Sequence, residues 1–324
     1  MLPLTKKLLI ALFLISSLNA LNAQILEGLQ REKDITSDSL LNMDANHNRP
    51  TIRFGDSPVS IGGYFEMNSI YEVEEGDTEG MAFQFRRLSI VMATPITKRI
   101  NFLSEIEFED QGREVSIEYA AVDVNLFSEL NFRGGLIVNP IGAFNQNHDG
   151  PNWEFVERPD QASKLLPATF RNVGAGIYGK FHQKDWIIGY EAYLTNGFNE
   201  NIINNSKRRT YLPATKETDR RGRAYISQDE SQEEDFENHS GKPLFTGKVA
   251  VKKRQIGEIG LSYMGGVYNK MEDDEGLPLW EKNSRVDVVA VDFNTELKLT
   301  KTKLIGEASY IWVDVPEKIG RAHV

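Results

Sequence analysis

Cysteine is absent from the 324 residues of this chain. No disulfide framework, thiol nucleophile or cysteine metal site is therefore available, and packing and hydrogen bonding must hold the fold together. Histidine is scarce, at five residues. Those at 47, 148, 182 and 239 are scattered over separate connections without an HExxH-like spacing, which argues against a zinc centre. Long apolar runs are missing beyond the first residues, so no helix is expected to span a bilayer. Positive charge is outweighed as well. The formal charge is −10, and −12 once Lys6 and Lys7 leave with an amino-terminal signal. Nucleic acid is a poor partner for such a chain, because nonspecific affinity there comes from Lys and Arg on phosphates. No GxSxG elbow, Walker loop or dinucleotide fingerprint occurs, and the glycines of "GAGIYG" fall within a strand pattern and precede no helix. The reading is of a non-enzyme without a cofactor, and a soluble protein or a β-barrel remains.

The first residues, "MLPLTKKLLIALFLISSLNALNAQ", carry Lys6 and Lys7, an apolar run from Leu8 to Ile15 and small residues ending at Ala23. That is the pattern of a secretory signal peptide over 1–23, cleaved before Gln24; its apolar core is too short for an anchoring helix. Residues 24–58 follow as a periplasmic amino-terminal segment. Up to Pro50 it is polar and without alternation, and no function is assigned to it. At the other end "IGRAHV", residues 319–324, has no turn logic of its own and reads as a non-native tail. That reading predicts that the natural chain continues past Lys318.

Between residues 59 and 318 apolar and polar residues alternate in about eleven segments of ten to thirteen residues, the spacing of strands. They lie near 60–73, 81–93, 99–108, 114–125, 130–138, 171–181, 185–195, 244–252, 257–268, 286–298 and 302–313. In "WIIGYEAYL" Trp186, Ile188, Tyr190, Ala192 and Leu194 share one face, and Gly189, Glu191 and Tyr193 the other. The connections between segments alternate long and short. "VEEGDTEG", "EDQGR", 139–170, 196–243 and 269–285 are the long ones, against "TPITKR", "FSEL", "HQKD", "KKRQIGE" and "LTKTK". A soluble sandwich has no reason to sort loop length by parity, whereas an up-and-down transmembrane barrel has short periplasmic turns and longer extracellular loops. Tyr71, Trp186, Tyr193, Tyr310 and Trp312 stand near strand ends, where interfacial girdles form. The fold expected is all-β: a transmembrane antiparallel up-and-down barrel, incomplete in this chain.

Two connections invite a functional reading. The loop 196–243 is basic in its first half and acidic in its second, as a solvated external loop or a receptor site would be. The stretch "NQNHDGPNWEFVERPD", residues 145–160, sets His148, Asp149, Glu154, Glu157 and Asp160 around Trp153. It resembles a hydrolase site, but its histidine has no second ligand or nucleophile within the motif.

The segment "FQFRRLSIVMATPITKRINFLSEIEFE", then "RGGLIVNPIG", "WEFVERP" and "LPAT", resembles the phosphate-selective porin O/P family in its Bacteroidetes-like branch, over roughly residues 59–195. The resemblance implies a homotrimeric outer-membrane channel in bacterial outer-membrane lipid. Each barrel would have about sixteen strands, of which about eleven are present here, with one loop folded into the lumen. By position that loop is 139–170. It also implies passive diffusion of small hydrophilic solutes or inorganic ions, with anions such as phosphate suggested by the family name. The alternative is a structural or adhesive barrel whose long extracellular loops bind a partner. The constriction and selectivity candidates are Arg86, Arg87, Arg133, His148, Glu154, Glu157, Arg158 and Arg171. Arg158 and Arg171 can equally pair with Glu154, Glu157 or strand carboxylates to hold the loop down. Adjacent Arg86 and Arg87 are expected on opposite faces unless a bulge intervenes. Lumen positions are mostly acidic in this register: Glu66, Glu105, Glu107, Glu191, Asp292, Glu296 and Glu307, against Lys180 and Lys298.

Overall fold

The computed structural model of the chain describes residues 40–53, 57–74, 77–152, 158, 166, 169–197, 203–205, 224–226, 242–267, 285–314 and 322–323. The expected signal peptide therefore lies outside the described residues. The strands are β1 (Thr51–Arg53), β2 (Ser60–Glu74), β3 (Asp77–Pro95), β4 (Ile100–Glu109), β5 (Glu114–Phe127), β6 (Leu130–Val138), β7 (Arg171–Gln183), β8 (Trp186–Thr195), β9 (Ile203–Asn205), β10 (Ala224–Ile226), β11 (Leu244–Lys253), β12 (Gly257–Val267), β13 (Arg285–Lys298), β14 (Lys303–Asp314) and β15 (Ala322–His323). Thirteen of them form one open antiparallel sheet in chain order, with β1 and β15 at its edges, while among the described residues β9 and β10 form a separate two-stranded sheet. The eleven long strands of that sheet are those expected from the alternation.

The faces of the sheet are inverted relative to a soluble protein. Phe65 and Phe83 are 67% and 74% exposed, and Met67, Met81, Leu194, Val249, Leu261 and Phe293 are exposed with them; Arg87 and Glu105 are 3% and 1% exposed. Hydrocarbon explains both halves of this pattern. It accepts the apolar side chains, and it forces every backbone N–H and C=O into an inter-strand ladder, because an unpaired group there costs several kcal/mol. The strands thus form the wall of a partial transmembrane β-barrel. Tyr71, Trp186, Tyr310 and Trp312 are exposed on its outer face, in agreement with a girdle. Tyr193 is not one of them: it is buried on the inner face, where its hydroxyl donates to Glu191 at 2.9 Å.

The wall is strongly curved. The Gly142 N–H donates to Ser262 Oγ on β12 at 3.3 Å, and the Gly150 N–H to the Tyr64 hydroxyl on β2 at 3.4 Å. In a flat sheet those strands would stand roughly 38 Å apart. Eight residues reach at most roughly 28 Å when fully extended, and this stretch contains the helical turn Ala143–Gln146. Only a sheet curled around residues 142–150 allows both bonds. One of the connections expected to be long, 73–80, is instead tight: the β2–β3 ladder continues to the pair Glu74 and Asp77, so strand residues stand where loop was expected. β4 joins β5 through Asp110–Gly112, within the expected "EDQGR".

Candidate pore-lining site

The inner face is built by strand parity and by two bulges that override it. Glu66 pairs with Arg87 and Met67 with Phe85, so Arg86 is the extra residue in β3. The bulge turns both arginines inward. Arg86 Nη1 lies 3.3 Å and Arg87 Nε 3.1 Å from the two oxygens of Glu66. Arg87 also reaches Glu107 at 3.4 Å and Glu109 at 3.5 Å. On β5 the same device leaves Glu118 unpaired between the partners of Glu105 and Ile106, and Glu118 and Tyr119 are both buried. Glu118 accepts from Arg171 Nη1 at 2.9 Å. Arg171 is therefore held by a strand carboxylate, one of the two roles open to it from sequence.

Further round the wall, Arg133 donates to Asp123 from Nε at 2.7 Å and from Nη2 at 3.3 Å, and to the Tyr193 hydroxyl at 3.2 Å. Its guanidinium carbon stands 4.3 Å from the centre of the Tyr178 ring, within cation–π range. Lys248 Nζ bonds Asp292 and Gln146, each at 3.0 Å. Gln146 in turn donates to Glu191. These pairings matter because a carboxylate or guanidinium removed from water without a partner costs several kcal/mol.

The described first part of the connection 139–170, residues 139–150, leaves the long-loop rim and runs along this inner face. Ile141, Ala143, Phe144, Asn145, Gln146, His148 and Asp149 are all buried. Asn145 ties the start of the connection to its end, donating to the carbonyls of Asn139 and Phe170 and accepting from the Phe170 N–H at 2.7 Å. His148 donates from Nδ1 to the Asn145 carbonyl at 3.1 Å. Its Nε2 faces Glu105 at 3.7 Å and Asp149 at 4.0 Å. Burial disfavours the charged imidazole, but Glu105 and Asp149 outweigh it and hold the His148 pKa above its ordinary value. Burial likewise pushes the Asp149 carboxyl up, with the Arg49 charge opposing it.

Glu105, His148 and Asp149 bring together the donor set of a metal site. The position is already served by a cation, however. Arg49 Nη1 lies 2.5 Å from Glu105 and Arg49 Nε 2.8 Å from Asp149, so a metal ion would have to displace the guanidinium. Arg158 is half-buried, and burial followed by the nearby Arg87 charge lowers its pKa. Glu154, Glu157 and Trp153 lie outside the described residues.

Of the lumen positions expected from register, Glu105, Glu107, Glu191 and Asp292 are buried inward, and Glu66 holds the paired arginines. Glu296 and Lys298 are exposed near a turn, Glu296 pairing with Lys303 at 3.0 Å. Sequence reasoning missed Lys248, Asp123, Glu118 and Glu258. Lys248 was within reach, since it stands in phase with Thr246 and Ala250 on a strand already recognised. Arg49 and His47 were not, because they follow no periodic pattern.

An apolar outer wall, a charged inner face and a connection laid across the lumen define a transmembrane β-barrel of the porin class. The family model of the phosphate-selective porin O and P proteins matches residues 64–250, and the chain belongs to that family; it is a bacterial outer-membrane β-barrel protein. An uncharacterized protein of Aquifex aeolicus strain VF5 is 32% identical over 146 residues, which make up 43% of this chain and 32% of that protein. The chain thus spans about a third of the length of that curated relative. Among solved structures, a loop L8 deletion mutant of the Vibrio cholerae outer-membrane protein OmpT matches at 11% identity and a TM-score of 0.37, covering 80% of this chain and 83% of that one. In-vitro folded OmpT in its trimer form matches at 10% identity and a TM-score of 0.35, covering 80% and 79%. Membership in a porin family argues against catalysis.

Proposed function

We propose that the protein is a passive outer-membrane channel for small hydrophilic solutes or ions, assembled as a homotrimer and constricted by the connection 139–170. The observation that carries this reading is the bonding of that connection to β2 at one side of the curled wall and to β11 and β12 at the other. Such a bridge narrows a lumen that a barrel of this class would otherwise leave wide. Around it Arg86, Arg87, Arg133, His148, Arg158 and Arg171, with Glu154 and Glu157, are the groups assigned to ion selection.

The balance of charge favours weak selectivity over phosphate capture. A phosphate site needs several donors free to converge on one anion. Here Arg87, Arg133 and Arg171 already donate to or face Glu66, Glu107, Asp123 and Glu118. The motifs at 85–87, 133–142, 153–159 and 166–169 support a place in the family's Bacteroidetes-like branch. Planar-bilayer recording of the full-length protein under a salt gradient tests the proposal. Discrete conductance steps are expected, with a reversal potential near zero or on the cation side. Absence of conductance would favour the adhesive alternative, and strong anion preference abolished by phosphate would restore the selectivity in the family's name.

A further inference from the structure

We infer that residues 40–49 form a second insert in the lumen, entering from the short-turn rim, and that this segment sets the width and ion preference of the channel together with the connection 139–170. The inference rests on the porin reading above and adds a part of the pore that no strand or long loop supplies.

The contacts run across much of the wall. Lys252 Nζ on β11 donates to the Leu40 carbonyl at 2.5 Å, and the Asn42 N–H to Glu258 on β12 at 3.0 Å. Asn294 on β13 donates to the Asn42 side chain at 2.6 Å, and Lys180 on β7 to Asp44 at 2.6 Å. His47 meets Asp123 on β5 at 2.8 Å. Each of these strand groups lies towards the short turns, at or near 128–129, 184–185, 254–256 and 299–302, so the segment lies within that end of the lumen.

Apolar packing fixes it there. Leu41 and Met43 are buried against Ile187, with Tyr178 beside them. Gly189 makes the room, since a β-carbon at that position would run into both Leu41 and Met43. Residues 42–47 form a short 3-10 turn across this patch.

The segment then rises to meet the other insert. Arg49 joins Glu105 on β4 to Asp149 in the connection 139–170. Burial opposes its charge, but Asp149 and Glu105 more than compensate and raise its pKa further. One guanidinium thus couples two inserts that come from opposite rims. In this position it offsets two carboxylates that would otherwise face a permeating ion.

Single-channel recording of the full-length protein tests the inference with two variants. Deleting residues 40–48 should raise unitary conductance roughly two-fold or more, because the conducting cross-section widens. Arg49→Gln keeps the chain length and should move the reversal potential towards cations, by leaving Glu105 and Asp149 with His148 alone beside them. Parental conductance in the deletion together with a parental reversal potential in Arg49→Gln would overturn the inference and leave the porin reading intact. If the deletion fails to assemble, the Arg49→Gln reversal potential decides alone, and no shift overturns the inference. If neither the parent nor any variant conducts, the porin reading falls and this inference with it.

Discussion

Lys248 and Val249 are neighbours in β11, yet one is 4% exposed and the other 52%. The lysine is held by Asp292 and Gln146 inside the barrel, and the valine stands on the outer wall with Leu261 and Val291. A one-residue step along a strand changes the solvent from an ion-paired lumen to hydrocarbon. The two faces therefore punish opposite errors. The outer face rejects charge, and the inner face rejects the loss of one member of a charge pair.

The largest effect is expected on the inner face. Arg133→Met leaves Asp123 buried with its main cation gone, which should cost about 3–5 kcal/mol and abolish a heat-resistant folded band in semi-native electrophoresis. Replacing Lys248 and Asp292 together by Met and Leu removes both charges of a pair and should cost far less than Lys248→Met alone. Equal losses in the single and double variants would contradict the pairing. On the outer face Val249→Arg should cost about 2–4 kcal/mol if the residue lies near the bilayer midplane, read as a lower urea midpoint for folding into liposomes. A tolerated arginine there would mean that this face does not meet lipid.

Smaller effects concern the inserted connection. Glu154→Gln with Glu157→Gln should shift the reversal potential towards anions while folding is retained, and an unchanged value would remove them from the selectivity set. His148 should give the smallest effect, through pH. Its folded pKa is raised, so its protonated form adds stability that is complete below the ordinary value of 6.5 and is lost as pH rises through the folded one. Protease resistance of the connection should therefore decline on the alkaline side in the parent and lose that dependence in His148→Gln. An identical pH profile in both would contradict the placement of His148 between Glu105 and Asp149.

The wall was legible in the sequence to a degree that the inserts were not. Period-two alternation located all eleven long strands, with most ends within two residues, because each strand has one face in hydrocarbon and cannot shift register without inverting every side chain. The same rule left Arg86 and Arg87 open, since it holds only where no bulge intervenes. Strict alternation separates them, and a single extra residue in β3 brings them together on Glu66. A bulge leaves no compositional mark, and neither does the one at Glu118. Arg49 and His47 were invisible for a different reason. Their partners Glu105, Asp149 and Asp123 lie 56 to 100 residues away in sequence, and the polar stretch that holds them reads like any terminal tail. Loop length misled at 73–80, where the β2–β3 ladder continues to the pair Glu74 and Asp77.

The most direct test uses the absence of cysteine from the chain. Asn68 and Met67 are adjacent on β2, Asn68 half-buried on the lumenal side and Met67 exposed on the outer wall. Single cysteines at these two positions of the full-length protein, in planar bilayers, meet a membrane-impermeant anionic thiol reagent with no competing thiol. A lumen lined by the charged face predicts that Asn68→Cys reacts and its current falls, while Met67→Cys keeps its current. Equal sensitivity at both positions, or block at Met67 alone, would contradict the assignment of the two faces and the pore built on it.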